Sequence, residues 1–386
     1  MKINSRIISL ALSVLMIVGI VSASGFSSSA IVEIVDGDYS YVKNSDNTYA
    51  LYSYSGSDTD ITLPTVALGR NVTEIYKNAF ESSNITSVVI PEGYVSIGES
   101  AFYGCADITE ITLPSTVTSL GSMVFNSCTA LSSVDLSQAT SLTAIPFAAF
   151  QDDSSLKSIL IPQNVTSIGN NAFTRSGLTS IELPNSVESM GTGVFSECED
   201  LTSVVLSECL TEICDGTFEN CTSLTEVTVP NGVTAIGNEA FAGCTLLANV
   251  ELPTTLVSIG DSAFEDDNSL TEISIPATVT QIGGNAFYPM SIRNKITVTC
   301  FEGSYAETYC EENLVPSQTT PKIMGDANAD GKVNILDVTA IQRYKIGDQE
   351  LNEYGMRCAD VNHDGSITVR DATLIQMKLA KYDVNF

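Results

Sequence analysis

Leu224-Thr225-Glu226-Val227-Thr228-Val229-Pro230, then Val233-Thr234-Ala235-Ile236-Gly237, then Ala240-Phe241: the fold turns on how this stretch is read. Apolar Val227 and Val229 alternate with Thr228, the pattern of a short strand with one buried face. Pro230 ends the strand, since proline has no N–H for a ladder. Ile236 buries one apolar group, Gly237 turns the chain, and Phe241 fills the interior. The following unit repeats the order with Val250-Glu251-Leu252-Pro253, Val257-Ser258-Ile259-Gly260 and Ala263-Phe264. The phenylalanine recurs at Phe80, Phe102, Phe125, Phe150, Phe173, Phe195, Phe218, Phe241, Phe264 and Phe287, at intervals of 22 to 25 residues. So short a unit cannot bury its own apolar face, and neighbours must stack. The expected fold is a right-handed repeat solenoid with a parallel β ladder, stable through nearest-neighbour contacts.

The repeat resembles the leucine-rich repeats, specifically the BspA-like class with its Ile-Pro and Ile-Gly-x-x-Ala-Phe steps. About ten units occupy residues 63–299. Ser137 and Ser207 stand where other units carry proline, and the unit from Leu136 to Phe150 has two extra residues, read as a bulged loop. Solenoid ends need caps. Residues 24–62 are read as a strand-rich N-terminal cap, with Ile31 to Tyr54 alternating and Asp36-Gly37 and Asp46-Asn47 as turns. Residues 300–314 are read as the C-terminal cap. Glu302-Gly303-Ser304-Tyr305-Ala306-Glu307 and Tyr309 look like the closing segment of BspA-like arrays.

Five cysteines, Cys105, Cys128, Cys198, Cys221 and Cys244, fall three residues after a repeat phenylalanine. Ser83, Asp153, Ser176 and Asp267 fill the same slot elsewhere. That interchange suits a small buried group, with disulfides between stacked neighbours as the sharper alternative. Outside the slot lie Cys209, Cys214, Cys300, Cys310 and Cys358, among which Cys300 with Cys310 is the candidate bridge.

Strand residues alternating with the core should line the concave face. They include Glu110, Thr112, Ser133, Asp135, Ser180, Glu182, Glu226, Thr228, Asn249, Glu251, Glu272 and Ser274; six are acidic and none is basic. The set is a solvated face of an acidic protein or a groove for a basic or multi-hydroxyl partner. It holds no aromatic platform for sugars. No insertion interrupts the repeats to build a catalytic pocket, and with His363 as the single histidine no Ser-His-Asp or Cys-His arrangement is available. The solenoid is read as non-catalytic, binding a protein or surface ligand.

Composition changes after Leu314. Residues 315–323, rich in Pro, Thr and Ser, read as a semi-rigid linker. Then Asp326-Ala327-Asn328-Ala329-Asp330-Gly331-Lys332-Val333-Asn334-Ile335-Leu336-Asp337 fits a calcium loop. Calcium takes six to eight oxygens, from loop positions 1, 3, 5, 7, 9 and 12. Here these are Asp326, Asn328, Asp330, Lys332 through its carbonyl, Asn334 and Asp337, with Gly331 at the sharp turn. The pattern returns 34 residues later as Asp360, Asn362, Asp364, Ser366, Thr368 and Asp371, with Gly365 at the turn. Two loops in register, each followed by an amphipathic helix (Asp337 to Ile346 and Asp371 to Lys381), predict a small all-α module holding two Ca2+ ions. No clear helix enters either loop, and Asp closes each loop where ordinary EF-hands use Glu. His363 occupies a non-ligand position.

These features resemble a type I dockerin over residues 324–386. The resemblance implies calcium-dependent docking onto a cohesin module of a scaffoldin, in a cellulosome-like or amylosome-like polysaccharide-degrading complex. It places cohesin contact on loop positions 10 and 11 and on following helix residues: Ile335, Leu336, Gln342 and Arg343 in the first half, Val369, Arg370, Gln376 and Met377 in the second. The halves differ at these positions, against a symmetric dual mode. An enzymatic passenger acting on glycosidic bonds, and an adhesive cell-surface protein, are the competing readings.

The N-terminus reads as a secretory signal. Lys2 and Arg6 precede the apolar run Ile7 to Val21, and cleavage is expected after Ala23 (residues 1–23), with Ala30 as a later alternative. The expected product is extracellular, with no membrane insertion after cleavage. The formal net charge of −29 excludes nucleic acid as a partner, because a phosphate backbone needs a basic face, and it suits calcium binding.

Overall fold

The computed structural model describes residues 32–288 and 296–384. The expected signal run and both cleavage positions lie outside the described residues. The described residues from Glu33 onward form one compact unit. Every strand and helix among the described residues belongs to it.

Its first elements are Ile34–Asp36, Tyr39–Lys43 and Tyr49–Tyr54, an antiparallel meander. The turns fall where the sequence places them, with Gly37 and Asn47 at positive φ. Tyr49–Tyr54 then pairs in parallel with Arg70–Ile75, and Asp60–Thr62, still within the segment read as the cap, pairs in parallel with Ser87–Val89.

The solenoid is a parallel-β coil of about 12 turns. A typical turn contributes a three-residue strand to one side and a two-residue strand to the other. Glu226–Thr228 pairs with Asn249–Glu251, placing Val227 beside Val250. Ala235–Ile236 pairs with Ser258–Ile259. Val227 and Val250 of the long strands and Ile236 and Ile259 of the short ones point inward, and all four are buried. Gly237 is needed because a Cβ there would press on Asp215 of the preceding turn. The repeat phenylalanines form one continuous stack from Phe80 to Phe287. Successive ring centroids lie 5.1 to 5.6 Å apart, and each ring is withdrawn from water.

The two extra residues of the Leu136–Phe150 unit do not merely bulge outward. Ala139 and Leu142 are buried, and the Leu142 amide donates to the Ala139 carbonyl at 3.1 Å. One turn later Ser158–Leu160 is not regular strand, although Ile159 and Ile161 keep their buried places.

All ten cysteines are free, so neither stacked disulfides nor a Cys300–Cys310 bridge is formed. In the repeat slot each thiol donates to a phenylalanine carbonyl of an earlier turn: Cys105 to Phe80 at 3.0 Å, Cys198 to Phe173 at 3.0 Å, Cys244 to Phe218 at 3.1 Å. The slot therefore selects a small polar side chain; the Ser83 hydroxyl accepts from the Ile85 amide at 3.2 Å, and Ser176 lies 3.4 Å from the Cys198 sulfur. Asp153 instead accepts from the Cys128 amide at 2.8 Å, leaving its second oxygen unpartnered. Burial drives its carboxyl well above the usual range, and does the same at Asp267.

Beyond the repeats, Thr297–Phe301 continues the long ladder and helix α1, Tyr305–Asn313, closes the coil. Ser304 caps α1 by accepting from the Glu307 amide, and Leu314 ends it in the left-handed region. Tyr309 meets the last phenylalanine, Phe287, edge-on at 6.1 Å. The stretch read as a linker differs from expectation. Ser317–Thr320 is a strand, paired in parallel with Thr297–Phe301 from Val298–Ser317 to Phe301–Thr320. All four of its residues are exposed, so the backbone ladder fixes it, joined by the Thr320 hydroxyl, which donates to the Cys300 carbonyl at 3.3 Å.

Three helices follow: α2, Ile335–Lys345; α3, Glu353–Ala359; and α4, Val369–Leu379. Helices α2 and α4 pack together over Val338, Ile341, Ala372 and Ile375. Helix α3 was not expected and runs directly into the second loop, with Asp360 as its C-cap. It turns its buried face to the solenoid end. Tyr354 and Cys358 form a buried cluster with Ala277 and Ala329, and Phe301 packs against it. The Phe301 and Tyr354 rings lie 5.5 Å apart. The Asn352 side-chain amide donates to the Ala277 carbonyl at 3.0 Å while its oxygen caps α3 at the Gly355 amide. The Tyr354 hydroxyl accepts from the Ile323 amide at 3.0 Å.

Candidate calcium centres and docking surface

Each loop curls round its first residue. The two carboxylate oxygens of Asp326 accept from the amides of Asp330 and Gly331, both at 3.0 Å. Asp360 accepts from Asp364 at 3.1 Å and Gly365 at 2.9 Å. The glycines make this possible: Gly331 and Gly365 have φ of +80 and +81, open only to glycine at low cost. The twelfth residue closes each loop from the helix side. Asp337 accepts from the Asn328 amide at 3.1 Å and the Asn334 amide at 2.7 Å. Asp371 does the same for Asn362 and Thr368, at 3.4 and 2.9 Å.

Between them sit the remaining candidate ligands. The Asp330 carboxylate accepts from the side-chain amides of Asn328 and Asn334, at 3.0 and 3.4 Å. Asp364 faces Asn362 likewise, at 2.9 Å. The ninth positions carry a second task. Asn334 caps α2 by accepting from the Leu336 amide at 2.7 Å, and Thr368 caps α4 by accepting from the Arg370 amide at 3.1 Å. Lys332 and Ser366 bond through their amides to Asp330 and Asp364.

This donor set fits a hard cation. Asp326 and Asp337 are wholly buried, and no ion pair among the described residues involves a loop carboxylate. Burial first, and then the nearby charges of Asp337 and Asp330, push the Asp326 carboxyl up to about 7. Burial raises Asp337 as well. Like charges crowded in a poorly solvated loop want a divalent ion. The set mixes carboxylate, amide and backbone oxygens. Among the described residues, no group of three or more His, Cys, Asp or Glu side chains is placed to hold a metal by itself, so each loop depends on its amide and backbone oxygens as well.

The surroundings of the loops differ. Ala329, at loop position 4, is 1% exposed and pressed against the solenoid end. His363 holds the same position in the second loop and is exposed, with Asp364, Gly365 and Ser366 beside it. Asp330, Gly331 and Lys332 also form one wall of a groove of about 800 Å³, whose other wall includes Glu251, Glu272 and Phe301.

The expected docking residues lie on the outer side. Ile335 and Leu336 are 57% and 56% exposed, and Val369 is 63% exposed. Gln342, Arg343, Arg370 and Gln376 are exposed, and Met377 is half-buried. Arg343 pairs with Asp348 at 3.0 Å. All twelve residues named for the solenoid strand face are exposed. Sequence reading passed over Val89, Leu160 and Val205, which stand exposed on the same side at 51%, 68% and 57%.

Comparison with known proteins agrees with both parts. The profile described as BspA type leucine rich repeat region matches in 6 copies, over residues 73–202 and 188–310. The dockerin type I domain matches residues 324–380. Among solved structures, a leucine-rich repeat protein from Bacteroides ovatus is 26% identical, with a TM-score of 0.58, covering 74% of this chain and 67% of its own. The leucine-rich repeat protein of T. pallidum is 28% identical, covering 56% of this chain and 90% of its own at a TM-score of 0.42. A leucine-rich cell surface protein from Faecalibacterium prausnitzii is 24% identical, covering 77% and 96% at a TM-score of 0.43. No curated protein matches.

Proposed function

We propose that this chain, which belongs to the BspA-type leucine-rich-repeat family and ends in a dockerin type I domain, is a secreted, non-catalytic binding protein that docks through two calcium ions onto a cohesin module of a scaffoldin. Dockerin type I domains are calcium-binding and imply a cohesin partner. The observation that carries the reading is the duplication of the loop with exposed residues beside each copy. Asp326 and Asp360 each anchor a turn, and the pairs Ile335-Leu336 and Val369-Arg370 stand outward beside them.

In this reading the first ion is held by Asp326, Asn328, Asp330, the Lys332 carbonyl, Asn334 and Asp337. The second is held by Asp360, Asn362, Asp364, the Ser366 carbonyl, Thr368 and Asp371. The ions supply positive charge that offsets crowded carboxylates and fixes the starts of α2 and α4. Exposed apolar side chains at those starts then give the partner a preformed anchor. The solenoid presents its acidic strand face to a protein or surface ligand, within an extracellular polysaccharide-degrading assembly. No helix among the described residues is long and apolar enough to cross a membrane.

The test is capture of the mature protein by a panel of cohesins, with calcium and with chelator. Calcium-dependent capture, lost when Asp326 and Asp360 are both changed to Ala, is the expected result. Failure of every cohesin to capture the wild-type chain overturns the docking reading.

A further inference from the structure

The two calcium loops share a pattern but not a neighbour. At position 4 both take the left-handed conformation, φ +63 at Ala329 and +57 at His363. Asn, Asp and His tolerate that conformation best among residues with a Cβ, so the histidine follows local preference and the alanine does not. What alanine offers is size. Ala329 lies in the cluster of Ala277, Tyr354 and Cys358, with Phe301 against it, and no larger side chain fits a contact that is 1% exposed. The remaining contacts reach the same place. Asn352 bonds to Ala277, and Gly355 of α3 meets the Ala327 carbonyl so closely that a Cβ would collide. Gly303 at the solenoid end lies under Arg357, whose Nη1 would be 2.8 Å from a Cβ there. The contacts to the solenoid thus come from the first loop and from α3. Asp364 to Ser366, the corresponding part of the second loop, faces solvent.

We infer that the first loop is a calcium-operated latch: its ion holds Ala329 in the turn that seats the helical module on the solenoid end, while the second ion takes no part in seating. The inference rests on calcium occupying the first loop. Its logic is linkage. An ion that orders Asp326–Asp337 strengthens the seat, and the seat must strengthen that ion's binding by the same factor. Solenoid and helical module thereby become one body only when the first site is filled.

The test uses the full mature chain with calcium as the probe, read by calorimetry and by amide hydrogen exchange. In the wild type, chelator should remove protection from Ala277, Ile323 and Tyr354, which the seat buries or bonds, and calcium should restore it. Asp364→Ala, in the exposed part of the second loop, should keep that protection in calcium, whereas Asp326→Ala should lose it. Ala329→His touches no ligand and inserts the second loop's residue. It should weaken the first site by about tenfold and leave the second unchanged, with His363→Ala neutral at both. Protection that ignores chelator, equal loss in both aspartate variants, or unchanged affinity in Ala329→His would overturn the latch. A wild-type chain that takes up no calcium at all would overturn the calcium reading itself, and is recognised separately by the missing heat of binding.

Discussion

The solenoid and the helical module are held together by opposite means. The solenoid has a continuous column of buried phenylalanines, and the module has none among its described residues. Its own core is Ala327, Val338, Ala340, Ile341, Leu351, Ala359, Val361, Ala372 and Ile375, mostly small side chains. Its one wholly buried aromatic, Tyr354, is spent on the solenoid. A core of that size supplies little stability by itself. The comparison teaches where each part draws its stability: the array from repetition and, under the function proposed above, the module from calcium and from its neighbour.

Chelation should give the largest effect and would break the comparison most directly. The module should lose amide protection across residues 324–384, while the Phe102–Phe264 region keeps its own. Loss in both regions together would show that they are one cooperative unit. Next, Phe195→Ala in the middle of the stack should destabilise the solenoid by about 3–5 kcal/mol, read by thermal melting, and leave calcium affinity unchanged. A fall in calcium affinity would mean that the two parts share their stability.

A smaller effect concerns the buried acids. Folding raises the Asp153 carboxyl well above its ordinary value, so its stabilising contribution is complete only below the unfolded pKa of about 3.9. That contribution is lost as pH rises through the folded value. Asp153→Asn keeps an acceptor for the Cys128 amide. It should stabilise the chain at neutral pH, read as a higher melting temperature, because no charge is then buried. The gain should shrink toward pH 4, and a gain independent of pH would refute the assignment. Smallest of all, Cys198→Ser retains a donor for the Phe173 carbonyl and should shift stability by no more than about 1 kcal/mol. A large loss on melting would show that the thiol is needed for bulk.

Most of the solenoid was readable because its constraint recurs. The Val227-Thr228-Val229 alternation, the Ile-Gly step and the Phe column each repeat, and a repeated signal exposes the few units that depart from it. The loops were readable because oxygen donors at fixed spacing have few other uses. Ser317–Thr320 could not be read in the same way. A strand that buries no side chain leaves no apolar alternation, and its flanking prolines, Pro316 and Pro321, suggest coil. Helix α3 was obscured by Gly355, which reads as a helix breaker. Its absent Cβ is what lets α3 approach the Ala327 carbonyl. The small size of Ala329 has meaning only beside Ala277 and Tyr354, which no local pattern brings together. The apolar residues on the strand face, Val89, Leu160 and Val205, occupy ordinary outward positions and become visible only once exposure is known.

The pairing of Ser317–Thr320 with Thr297–Phe301 bears on how far the protein can explore once caught. As free coil, the nine residues 315–323 would let the captured end wander over about 15–18 Å. The solenoid would then sample a cloud of directions, its encounters governed by local concentration alone. Pinned into the sheet, that slack is gone, and only Pro321 to Gly325 separate the strand from Asp326. The angle of capture then becomes the angle of display. About twelve turns at a strand spacing of about 4.8 Å extend roughly 55 Å, and whatever holds the helical end aims the whole of that length.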